Sequence, residues 1–250
     1  MSPATSFRDV AIIGGGCYGS FYAGQLAKAR ERGGVELGRV LVVDRDPNCQ
    51  AVREGLIGDG VELVTAEWSG FVSDFLAARP PEAGPDDAIV PSPLMPHLMA
   101  DWLAALAART WPEREPRLAP ATEPAGTPYD RVGPDGTRYL SYADWLCPTH
   151  CVEPAICPVT RGPRTWEMGD LVAAYARGLG RSRSVAGAAT FVTRHRAFGV
   201  GMFDAAEARA AARLVERAAR ESGLVAVVVA TISSCHGALG LLELGPVPTG

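Results

Sequence analysis

Over the first 110 positions, short β-branched runs alternate with longer stretches whose apolar residues recur every three or four positions. Runs at Val10–Gly14, Arg39–Asp44, Val61–Ala66 and Ala88–Pro91 predict strands, and the intervals near 18–32, 48–56, 69–78 and 95–109 predict helices. Strands linked by helical crossovers are the pattern of βαβ units. The expected fold class is therefore α/β, a Rossmann-like parallel sheet with helices on both faces. From Trp111 to Pro134 the periodicity fades into Pro, Glu, Arg and Gly. That shift predicts a linker or surface excursion over 111–135, between a first domain at 1–110 and a C-terminal α/β portion at 136–250. A hairpin is expected around Gly133-Pro134-Asp135-Gly136, with Tyr139–Trp145 as its returning strand. Further on, Trp166–Leu179 and Asp204–Ser222 predict helices, and Ala188–Thr193 and Leu224–Ile232 predict strands.

The first strand runs directly into Gly14-Gly15-Gly16-Cys17-Tyr18-Gly19, and Phe21, Tyr22, Ala23 and Leu26 follow at helical spacing. In a strand–turn–helix of this kind the first glycine of GxGxxG permits the tight turn. The second lets the backbone approach a pyrophosphate, and the third allows the helix to pack on the strand. A diphosphate placed there meets unpaired N–H groups and the positive end of the helix dipole. The next strand, Val40-Leu41-Val42-Val43, ends in Asp44, whose carboxylate suits the adenosine ribose hydroxyls. Residues Gly14 to Gly19 with Asp44 thus predict a dinucleotide site. A carboxylate at position 44 favours NAD over NADP, while Arg45 keeps NADP in play, and FAD, which shares the fingerprint, ranks below NAD.

This segment, with its Val42-Val43-Asp44-Arg45-Asp46-Pro47 continuation, resembles the NAD-binding Rossmann domains of the RCK (TrkA-type) regulators and related dehydrogenases. The resemblance covers residues 8–110. It implies a dinucleotide-binding role for Gly14, Gly16, Gly19 and Asp44, and it does not extend past residue 110. A fainter similarity to ThiF-type adenylyltransferases in the glycine loop and Asp44/Asp46 lacks the paired CxxC motifs those enzymes commonly carry.

Two further regions carry candidate chemistry. Ser92 and His97 follow the fourth strand, at the carboxyl edge where open α/β sheets bind ligands, which would put them near a nicotinamide. His97 reads first as an ordinary surface or half-buried helix residue. Cys147, Cys151 and Cys157 form a C-x3-C-x5-C segment stiffened by Pro148, Pro154 and Pro158, a loop able to wrap a metal ion at little further entropic cost. The spacing matches neither a zinc finger nor a ferredoxin, so zinc and an iron–sulfur cluster both stay open. For a fourth ligand the sequence offers His150, Glu153, Cys235 or His236, or an external group. Cys235 and His236, after a buried strand, are also catalytic candidates. Ordinary reduced thiols or a redox-active pair are the alternative. Cys17 and Cys49 read as small packing residues, and Arg161, Arg164 and Arg194-His195-Arg196 as a candidate anion clamp.

Composition narrows the classes. With 24 basic and 28 acidic residues, a net charge of −4 and no basic cluster, nucleic acid is not expected as a partner. Neither a signal-type N-terminus nor an apolar run long enough to span a bilayer is evident, so a cytoplasmic protein without a membrane partner is expected. The reading that follows is an NAD(P)-dependent oxidoreductase with a small-molecule substrate and a Cys-ligated metal or cluster near the nucleotide. A non-enzymatic NAD(H), redox or metal sensor acting through a protein partner is the alternative, an electron-transfer protein a third reading, and a homo-oligomer fits any of them.

Overall fold

The computed structural model describes residues 5–78, 87–148 and 151–247. In chain order its elements begin with β1 (Thr5–Ile13), α1 (Cys17–Glu31), β2 (Val35–Asp44), α2 (Gln50–Arg53), β3 (Val61–Thr65), α3 (Trp68–Ala77) and β4 (Ala88–Val90). They continue with α4 (Leu98–Thr110), a 3-10 turn (Pro112–Arg114), β5 (Arg117–Ala119), β6 (Tyr129–Val132), β7 (Arg138–Ser141), α5 (Met168–Leu179) and β8 (Val185–Val192). The last are β9 (Arg194–Ala197), β10 (Val200–Asp204), α6 (Ala205–Ala219), β11 (Val225–Ile232) and β12 (His236–Leu244). None of the described helices is long and apolar enough to cross a membrane.

The chain forms two compact units, one of residues Met1–Met95 with Thr193–Ala206, the other of Pro96–Val192 with Glu207–Gly250. The boundary expected at 110 thus lies ahead of α4. That helix buries Leu98, Met99, Trp102, Leu103 and Ala107 and packs on β5, β11 and β12, so its apolar stripe belongs to the second unit's core. The expected linker over 111–135 is folded as well. It supplies β5, β6 and the fully buried Arg114, its prolines and glycines marking turns between short strands.

In the first unit the strand order is β3-β2-β1-β4-β10-β9. The first four strands run parallel, with Val10 beside Val40 on one side and Ala88 on the other. Strands β10 and β9 add on antiparallel, so this sheet is mixed and not the all-parallel one expected. The hairpin joining them turns at Phe198 and Gly199, both at positive φ, a geometry that returns the chain alongside itself. Val10, Ile12, Val40 and Val42 carry the core, with Ala23, Leu26 and Ala29 of α1 packed against them. Two bidentate pairs fix the opposite end of these strands, Arg8 with Asp87 and Arg39 with Asp9.

The second unit is built on the order β6-β7-β12-β11-β8, with β5 also paired to β12. Only β8 and β11 run parallel, so this sheet too is mixed. Met168, Val172, Tyr175, Ala176 and Leu179 of α5 cover it and share a core with Val228, Ala230, Leu239 and Leu241. That face is why α5 reads clearly from periodicity. β12 follows β11 through a tight turn at Ser233–Cys235, which ends up at the rim of the unit.

Candidate functional site

Gly14 leaves β1 at φ +93°, a conformation that favours glycine, and its N–H donates to Val43 O at 2.8 Å. The Gly15 N–H donates to Asp44 Oδ2 at 2.7 Å, and the Asp46 N–H donates to Asp44 Oδ1 at 2.9 Å. Asp44 therefore clamps the glycine turn to the end of β2, a structural duty that the ribose-binding expectation did not include. Each carboxylate oxygen keeps a lone pair for another donor. Gly15 rests against the buried Cys49, whose Sγ lies 2.4 Å from where a Cβ would stand. Gly19 presses on the turn itself, and a Cβ there would lie 1.7 Å from the Gly14 carbonyl oxygen.

Gly16 is different. It caps α1 at an ordinary φ of −79°, no side chain bonds the freed amides, no acidic residue stands in the first helical turn, and a Cβ would meet no atom within 4 Å. Gly16, Cys17 and Tyr18 are all exposed, so Cys17 is not the packing residue expected, whereas Cys49 is. The amide end of α1 thus opens outward without a capping side chain. Beside it stands Trp68 at the head of α3, 4.0 Å from a Cβ on Gly14, with its buried indole N–H lacking a hydrogen-bond partner. Arg45 stacks on that indole at 5.5 Å and lies 3.7 Å from Glu67. Sequence reasoning missed Trp68, although an aromatic directly after β3, at the carboxyl end of a parallel strand, was a usable signal. Ser92 lies two residues past β4, whose Val90 pairs with Ile12, and so at the same sheet edge as the turn; its Oγ accepts the Leu94 N–H.

His97 belongs to the second unit. Its Nε2 is 3.4 Å from Asp101 and its Nδ1, buried and without a hydrogen bond, is 3.8 Å from Asp135. Burial pushes the Asp101 carboxyl above its ordinary range, with His97 opposing that rise and Asp135 adding to it. The three side chains border a cavity of about 190 Å³ floored by Val229, Thr231 and Leu239.

The thiols gather around the β11–β12 turn. The Glu153 carboxylate accepts the Ser233 hydroxyl at 2.6 Å and the Ser234 N–H at 2.7 Å, docking the segment that carries Cys151 and Cys157 onto it. The Tyr142 N–H donates to the Cys235 carbonyl at 2.9 Å and the Met168 N–H to the Ser234 carbonyl at 3.1 Å, so the chain on both sides of the cysteine segment meets the same turn. Trp166 Nε1 donates to Cys235 Sγ at 3.3 Å, and its ring packs on Tyr142 and Trp145. Burial pushes the Cys235 thiol up to about 11, eased by Trp166 and raised further by Glu153, so it is protonated at neutral pH and a weak nucleophile. Burial also raises Cys147, to which the charges of Cys151 and Cys157 add, whereas Cys157 is lowered by the Thr160 and Val159 amides. His236, next to Cys235, is exposed, and its backbone closes the turn with Ser233. His150, expected as a ligand, lies outside the described residues. Among the described residues no three His, Cys, Asp or Glu side chains are grouped so as to hold a metal ion.

The candidate anion clamp is largely spoken for. Arg196 forms a bidentate pair with Asp204, and Arg164 donates to Glu167 and to the Trp166 carbonyl.

No curated protein and no solved structure matches the chain. One family model does, that of AF_1314_C, described as "Uncharacterized protein, C-terminal domain", over residues 99–245. The match starts within α4, ends just past β12 and so takes in the thiol segment, the His97 partners and the β11–β12 turn, together with the β9–β10 hairpin. Since it spans more than half of the sequence, this chain belongs to the AF_1314_C family.

Proposed function

We propose that the first unit binds a dinucleotide, NAD before NADP or FAD, on its glycine turn, and that the protein works as an NAD(P)-dependent oxidoreductase. The observation that carries this is Gly16. Its φ suits any residue, a Cβ would meet nothing, and a helix N-cap accepts Ser, Asp or Asn at least as well as Gly. Neither the fold nor the cap needs glycine there, whereas a diphosphate lying against the backbone does.

Supporting features surround it. The four neighbouring parallel strands run in the order β3-β2-β1-β4, the Rossmann-like half of the sheet, and the turn lies at their carboxyl edge, where open α/β sheets take ligands. The uncapped amides of α1 would receive the phosphate oxygens, and Asp44, already fixed by the Gly15 and Asp46 amides, would accept a ribose hydroxyl without losing either bond. A second charge at a ribose 2′-phosphate would sit against that carboxylate, which favours NAD. The cofactor would supply hydride transfer, and this chain's part is to bind and orient it.

Calorimetric titration of the full chain with NAD, NADH, NADP and FAD tests the reading. Binding of NAD or NADH that is lost in Gly16→Val, with unfolding unchanged, is the expected result. No association with any of the four in the wild type overturns it. Tight NADH binding without turnover on any offered substrate would replace the enzyme by a nucleotide sensor.

A further inference from the structure

We infer that Cys147, Cys151, Cys157 and Cys235 together bind one thiophilic metal centre, a zinc ion or an iron–sulfur cluster, with Cys235 of the β11–β12 turn as the fourth ligand. The inference concerns the second unit alone and stands whether or not the first unit binds a nucleotide.

Three chain segments are tied to one turn. Glu153 fixes the loop of Cys151 and Cys157 to Ser233 and Ser234, the Tyr142 amide fixes the approach to Cys147, and the Met168 amide fixes the return. Glu153 does so at φ +52°, and Arg161, whose N–H bonds the Cys157 carbonyl at 2.8 Å, holds φ +59°. Backbone conformations of this kind cost energy for non-glycine residues and persist where the surroundings over-determine them. The spacing that looked irregular in sequence is therefore completed across the sheet, by a cysteine 78 positions beyond Cys157.

A second, independent observation is the supply of N–H groups to sulfur. Cys151 Sγ accepts the Glu153 N–H at 3.4 Å and Cys235 Sγ accepts the Trp166 indole N–H at 3.3 Å. A neutral thiol is a poor acceptor, and a thiolate is a good one. Two of the four sulfurs thus accept an N–H, a setting that favours thiolate over thiol. On binding a metal each thiol gives its proton to solvent as its sulfur–metal bond forms, and the N–H groups on Cys151 and Cys235 then stabilise the bound thiolates. Among the described residues the side chains are not grouped to grip an ion, so metal binding requires them to turn toward it.

Both centres take four thiolates, and the experiment separates them. The full chain is produced with iron and zinc present, purified without oxygen, and its metals are counted alongside a visible spectrum. About one zinc per chain with no colour, or about two or four irons with sulfide-to-iron absorption, is the expected outcome. Cys151→Ser and Cys235→Ser should each lose it, while Cys17→Ser keeps it. Should either loss accompany misfolding, cobalt titration of the metal-free wild type counts thiolates by its charge-transfer bands, and Trp166→Phe should weaken cobalt binding about 10–100-fold while leaving circular dichroism unchanged. A wild type that holds neither metal, even after reconstitution with zinc or with iron and sulfide, overturns the proposal. Full metal content in a folded Cys235→Ser removes Cys235 from the site and overturns it equally.

Discussion

A methyl group on Gly19 would lie 1.7 Å from the carbonyl oxygen of Gly14, because α1 begins pressed against the turn it leaves. Gly14 and Gly19 are thus bound to the fold, and Gly16, between them, is not. Substituting alanine separates the two duties. Gly19→Ala must push α1 away from β1 and should cost about 1–3 kcal/mol or more in urea unfolding. Gly16→Ala should change stability by less than about 1 kcal/mol while weakening NAD binding in calorimetry. If both variants lose stability equally, the distinction fails.

Asp44 ties two backbone amides to the end of β2. Its removal in Asp44→Ala should destabilise the chain by about 1–3 kcal/mol, the range for amides that lose a charged acceptor. Asp44→Asn, which keeps one acceptor oxygen, should lose less. Thermal unfolding of the two variants beside the wild type checks the order, and an Asp44→Ala chain as stable as the wild type would contradict the clamp.

Arg114 is fully buried in the second unit with three carbonyl partners: Gly245 at 2.5 Å from Nε, Gly223 at 2.8 Å, and Ala219 at the last turn of α6. These partners are the negative ends of peptide dipoles, and Ala219 ends a helix, where a cation is favoured. Arg114→Met leaves the three carbonyls without their donor, that of Ala219 in a buried site, and should cost about 1–3 kcal/mol. Arg114→Lys, whose ammonium cannot span the three, should recover only part of that.

Stability should also carry a specific acid signature. Burial acts to raise the Asp130 carboxyl, but the Gly126 amide, the Arg138 guanidinium and the Ala125 amide outweigh it and hold the pKa below the ordinary 3.8. A depressed carboxyl stabilises the fold fully above its unfolded value and loses that contribution as pH falls from about 3.8 through the lower folded one. Asp130→Asn should therefore melt below the wild type at pH 7, with the gap closing as the pH is lowered past 3.8. A gap constant with pH would mean that lost packing, not charge, sets the difference.

The βα alternation through residue 90, the glycine turn with Asp44, helix α5 and strand β11 were legible from pattern alone, because each depends on neighbours within a few residues: an apolar stripe, a turn residue, a buried run. Long-range partners decided the rest. Nothing near Arg194–Asp204 announces that this hairpin leaves the second unit's stretch of chain to pair with β4, so the first sheet becomes mixed only in three dimensions. Likewise, Cys235 comes to Trp166 and to the Glu153 loop through the pairing of β11 with β12 and the docking of Glu153, contacts across about 70–80 positions that local composition does not encode.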